Sequence, residues 1–67
     1  MKIAELNRRI ERMRHDAKKI HGYTDAELAK KIGCSVSTLT HRASDGTLYR
    51  LPAYQVERLK ELSEQEE

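Results

Sequence analysis

Residues 35–43 read Ser-Val-Ser-Thr-Leu-Thr-His-Arg-Ala, and wound into a helix they divide by type. Val36, Leu39 and Ala43 form a narrow apolar side, while Ser37, Thr38, Thr40, His41 and Arg42 supply hydroxyls, an imidazole and a guanidinium. A face of this kind recognises a ligand by hydrogen bonds. The parts of a catalyst are missing: the chain has no Gly-rich phosphate loop, nucleophile elbow or HExxH. A helical bundle of 67 residues also offers a substrate little concavity, so neither enzyme activity nor a small-molecule ligand is expected. His15, His21, His41 and Cys34 are too scattered for metal-ligand spacing, which leaves no metal or other cofactor. Cys34 is expected as a buried, inert thiol in the place of a small hydrophobe.

Charge points the same way. Residues 1–56 carry 11 Lys and Arg against 6 Asp and Glu, and residues 57–67 carry 2 against 5, which makes the net +2. A basic domain with an acidic end is a pattern common among nucleic-acid binders. Lys30, Lys31, Arg42 and Arg50 are the candidates for phosphate contact, with Thr47 and Tyr49 adding hydrogen bonds from the loop that follows the polar helix. Arg8, Arg12, His15 and Lys19 form a second basic stripe that is expected to face solvent.

These side chains need a scaffold, and its helices are marked in the sequence. Ile3, Leu6, Ile10, Met13, Ala17 and Ile20 recur at spacings of three and four, which predicts one long helix closed by His21-Gly22. The stripe is expected to pack on the other helices. A parallel coiled coil through it would set Arg9 against Arg14 of the partner. Thr24-Asp25-Ala26-Glu27 is a capping box, with Tyr23 and Leu28 placed for a hydrophobic staple, and the short helix it opens runs to Gly33. Ser35 caps the third helix, residues 35–43, and Ser44-Asp45-Gly46-Thr47 reads as a turn. Leu48 to Leu51 is expected to be extended. Pro52 suits the first position of a fourth helix that buries Ala53, Val56, Leu59 and Leu62. The domain therefore spans 1–62, and 63–67 is expected as an acidic, frayed tail.

Two short helices joined by a tight turn, the second polar on its outer side, describe a helix-turn-helix. Ala29 allows the helices to cross closely, and Gly33 supplies the residue that turns with φ > 0. The run Thr24-Asp25-Ala26-Glu27-Leu28-Ala29-Lys30-Lys31-Ile32-Gly33-Cys34-Ser35-Val36-Ser37-Thr38-Leu39 resembles the core motif of the Cro/repressor-type helix-turn-helix superfamily. Ile10, Met13 and Arg14 are similar to that family's first helix, and Pro52 with its spaced apolar followers to its fourth. The resemblance covers residues 8–62. It implies an all-α, compact bundle of four to five short helices of lambda-repressor-like fold, whose third helix enters the major groove of an operator. Ser35, Val36, Ser37, Thr40 and His41 stand where that family reads base edges. In those places Ser and Thr donate or accept, Val suits a thymine methyl, and His donates to guanine.

The chain departs from the family pattern in four ways. Asp25 stands where the family usually has Gln. Arg42 takes a position that is usually apolar or aromatic, so either the third helix ends early or Arg42 points out. The link from Arg14 to Thr24 is about one helical turn longer than usual, and the first helix starts earlier.

The function expected is sequence-specific regulation of transcription. The alternative is a small helical adaptor or inhibitor that binds a protein through the same fold. A homodimer is expected at least on DNA, because a single module with short Ser and Thr readers binds weakly. Leu48, Leu51 and Tyr54 are the candidates for its interface. The other account of Leu48 and Leu51 is burial in the domain's own core. No apolar stretch is long enough to cross a membrane and no signal-peptide h-region follows Met1. The lone cysteine suits a reducing cytoplasm, with the protein held on the nucleoid.

Overall fold

A computed structural model describes residues 2–64. Among them lie α1 (Ile3–His21), α2 (Asp25–Ile32), α3 (Val36–Asp45), a 3-10 turn (Leu48–Arg50) and α4 (Ala53–Glu64), with no strand. The fold is an all-α bundle of four helices. None of the described helices is long and apolar enough to cross a membrane.

Local chemistry starts and stops these helices. At α2 the capping box is complete: the Glu27 amide donates to Thr24 Oγ1 at 3.2 Å, and the Thr24 amide donates to Glu27 Oε1 at 3.1 Å. At α3 the Thr38 amide donates to Ser35 Oγ at 3.1 Å. Gly33 ends α2 at φ 93°, and its amide and that of Cys34 both donate to the Ala29 carbonyl at 2.9 Å. That double closure reverses the chain within two residues and sets α3 across α2.

The core gathers one side of every element: Ile10, Ala17, Leu28, Ala29, Ile32, Leu39, Leu48, Leu51, Leu59 and Leu62. Only the middle of the α1 stripe takes part. Ile3 is 60% exposed, and Leu6 and Ile20 are exposed as well. At 1.5 Å per residue α1 is about 28 Å long and α4 about 18 Å, so α1 outruns the helix it packs along.

Five sequence expectations are corrected. Leu48 to Leu51 is a 3-10 turn and not an extended segment; the Arg50 amide donates to Thr47 O at 2.9 Å and the Leu51 amide to Leu48 O at 3.1 Å. Residues three apart eclipse in a 3-10 turn, so Leu48 and Leu51 point the same way, into the core. The domain's own interior covers them, and of the three residues expected at a dimer surface only Tyr54 is exposed, at 64%. The third helix runs two residues further than expected, taking in Ser44 and Asp45 before Gly46 caps it. In α4 Leu59 and Leu62 are buried as expected and Val56 is half-buried, but in the first turn the buried residue is Gln55, 6% exposed, and not Ala53, which lies in solvent. Gln55 Nε2 donates to the Gly33 carbonyl and to Tyr54 Oη, both at 3.1 Å, and so ties α4 to the α2–α3 turn. Finally, α4 includes Ser63 and Glu64 of the expected frayed tail, whereas 65–67 lie outside the described residues.

Asp25 has a definite place in this packing. Its Oδ1 receives Lys18 Nζ at 2.8 Å and Arg14 Nη1 at 3.0 Å, and Arg14 also holds Glu11 at 2.6 Å. The hydrogen bond from Lys18, aided by Arg14 and opposed by slight burial, lowers the Asp25 pKa below its ordinary value of 3.8. A carboxylate whose folded pKa is depressed contributes stability above its unfolded pKa and loses it as pH falls through the folded one. Asp25→Asn is therefore expected to melt below the parent at about pH 7, by under about 1 kcal/mol because the site is partly exposed and screened. The two melting curves should converge as pH falls below the ordinary carboxylate range and the parent's own carboxylate protonates. A gap in melting temperature that persists at the acid end would mean that Asp25 acts through something other than its charge.

Candidate nucleic-acid interface

Helix α3 meets the core through Leu39, its one buried residue, with Ala43 half-buried beside it. At 100° per residue Val36, Thr40, Ser44, Ser37 and His41 fall within a single arc of about 140°, with Val36 at its edge beside Ala43 and the rest turned away from Leu39. All five are exposed, as is Ser35 at the cap. The structure thus places Val36, Ser37, Thr40 and His41 on one open face, with Ser35 exposed at the cap of the helix.

Their hydrogen-bonding capacity differs from what residue type alone suggests. Ser35 Oγ caps the helix and also donates to Thr38 Oγ1 at 2.7 Å. Thr40 Oγ1 donates to the Val36 carbonyl at 2.9 Å, which leaves its methyl and lone pairs to face outward. His41 Nε2 meets Asp45 Oδ2 at 2.9 Å. The hydroxyls of Ser37 and Ser44 make no hydrogen bond among the described residues.

The cations divide into three sets. Lys30 and Lys31 are exposed near the end of α2, and Arg50 is exposed after α3 with its guanidinium 5.9 Å from the Tyr49 ring centre. Thr47 and Tyr49 are half-buried beside it. Arg42 is different. Helix α3 does not end before it, and the residue lies about 160° round the helix from Ser44, on the core side. It is half-buried, and its Nε is closed off without a hydrogen-bond partner. Arg42 therefore stands behind α3 and not on its outer face.

Arg58 was not among the candidates. It lies on α4, in the part of the chain where acidic residues outnumber basic ones. Its Nε donates to the Lys31 carbonyl at 3.4 Å, and with Glu27, Lys30 and Lys31 it lines a shallow cleft between α2 and α4. A cation there satisfies a carbonyl at a helix C-terminus, where positive charge is favoured. Apart from its charge, nothing local to residue 58 signals this contact.

Arg8, Arg12, His15 and Lys19 all face solvent along α1. Cys34 is half-buried in the turn, where burial raises its thiol pKa and keeps it protonated. No group of three or more His, Cys, Asp or Glu among the described residues could hold a metal ion. No protein-family model, curated protein or solved structure matches the chain.

Proposed function

We propose that the chain is a sequence-specific regulator of transcription that inserts α3 into the major groove of double-stranded DNA. The observation that carries this reading is the exposure of α3. Leu39 alone is buried, the Gly33 turn fixes how the helix crosses α2, and Val36, Ser37, Thr40 and His41 stand clear on one side. A major groove about 12 Å wide admits such a helix. Lys30, Lys31 and Arg50 flank it as phosphate contacts. The carboxylate at Asp25 does not oppose this, since Lys18 and Arg14 neutralise it within the fold. Two copies would sit on a pseudo-palindrome with half-sites about 34 Å apart, adding their modest contacts.

Two kinds of α3-region variant separate this reading from a solvated surface helix. His41→Ala is expected to change which sequences are bound, at roughly 1–3 kcal/mol for a lost base contact. Arg50→Ala is expected to weaken all sequences alike and to reduce the salt slope of binding by about one. Titration of random and selected duplexes at several salt concentrations measures both. Folded variants that leave duplex binding untouched would overturn the reading, as would a parent protein without salt-dependent affinity for random duplex.

A further inference from the structure

The His41–Asp45 pair limits what α3 can read, if α3 lies in the major groove as proposed. A carboxylate only accepts hydrogen bonds, so the Nε2 that meets Asp45 Oδ2 at 2.9 Å carries the proton. When the imidazole is neutral it has one N–H, and with that proton on Nε2 the Nδ1 is a bare acceptor. Among the described residues nothing bonds to Nδ1, and both side chains are largely exposed, at 74% and 51%. In the major groove an acceptor pairs with the N6 amine of adenine or the N4 amine of cytosine. It is repelled by N7 and O6 of guanine.

We infer that Asp45 is a specificity-determining residue that fixes the tautomer of neutral His41 with its proton on Nε2, so that Nδ1 selects an adenine or cytosine amine and rejects guanine. This reverses the donor role expected of His41 from residue type alone. Asp45 touches no base in this scheme and acts as a positioning residue. Its carboxylate also repels phosphates, so it lowers affinity for every sequence while sharpening the choice at one position. Loss of Asp45 does not endanger the helix. It is the last residue of α3 before Gly46, where the helix dipole disfavours negative charge.

The test is selection from a random duplex pool at about pH 8, above the ordinary histidine range, with the parent protein, Asp45→Ala and Asp45→Asn. The parent should enrich adenine or cytosine over guanine at one position by at least about fivefold, the lower end of a specific base contact. Asp45→Ala should lose that enrichment or admit guanine, and at the same time bind random duplex more tightly. Asp45→Asn keeps an acceptor facing Nε2 and should retain the preference. In the free protein, the ring-nitrogen NMR shifts of His41 should show the proton on Nε2. A proton on Nδ1, enrichment of guanine by the parent, or an Asp45→Ala selection identical to the parent's would overturn the inference while duplex binding stands. Absence of salt-dependent duplex binding would overturn the inference and the DNA reading together.

Discussion

Leu48→Ala is expected to lower the melting temperature by on the order of 10–30 °C, which leaves the protein partly unfolded at ordinary temperatures. Leu48 is fully buried, at 0% exposure, in the turn between α3 and α4, where it meets α1 and the rest of the core. Removing a buried leucine side chain costs about 2–5 kcal/mol, from lost transfer energy and the cavity left behind. A domain of this size holds only about 3–10 kcal/mol in total, at the usual stability per residue. In a domain this small each kcal/mol is worth about 4–8 °C. The control is Tyr54→Ala, expected to stay within a few degrees because that side chain is mostly in solvent. Thermal melts by circular dichroism at two protein concentrations decide between core and interface. The core assignment requires the loss at Leu48 to be large and independent of concentration. A small loss that grows on dilution would return Leu48 to a subunit interface.

That contrast also shows where the sequence was legible. The caps and stops that close within about four residues could be read directly. Thr24 and Glu27 cap one another, Ser35 caps α3, and Gly33 ends α2, because each interaction is closed by neighbours in the chain. The α1 stripe could be read as a helix, but not how much of it would be covered, since that depends on the length of α4. Leu48 and Leu51 could be seen as apolar residues in need of cover. Only the 3-10 spacing, which puts both on one side, shows that the cover is their own core.

Several contacts that sequence patterns do not show join residues well separated in the chain. Gln55 reaches the carbonyl of Gly33, and Arg58 reaches that of Lys31. Arg14 and Lys18 meet Asp25. A polar residue in a fourth helix looks like surface until its partner is known. At Gln55 the partner satisfies Nε2, while Oε1 is buried without one. The candidate face of α3 was legible as a set of residue types. Which hydroxyls are already spent inside the helix was not, although Thr40 donating to the Val36 carbonyl is a habit of threonine in helices.

The turn between α2 and α3 is the feature on which the bundle and the proposed interface both depend, and it rests on one backbone conformation. Gly33 sits at φ 93°, where a side chain on Cβ is strained whatever space surrounds it. Space is in fact available: a Cβ there would lie 3.7 Å from Tyr54 Cε2, an ordinary contact. The cost of substitution is therefore conformational, and it should follow tolerance of positive φ and not side-chain volume. Gly33→Asn should be mild, since asparagine visits this region, Gly33→Ala intermediate, and Gly33→Val the worst at about 1–3 kcal/mol, because β-branching adds to the strain. For a domain of this size that is on the order of 5–20 °C in melting temperature. The strain also acts on position. To relieve it the turn must open, which loosens the hydrogen bonds that the Gly33 and Cys34 amides donate to Ala29 O and the one Gln55 Nε2 donates to Gly33 O, and tilts α3 away from α2. Affinity for duplex DNA should therefore fall in the same order as the melting temperature. If Gly33→Val melts with the parent, the left-handed turn is not what sets the α2–α3 angle. If the three variants instead rank by volume, with asparagine worse than alanine, crowding against Tyr54 outweighs backbone strain.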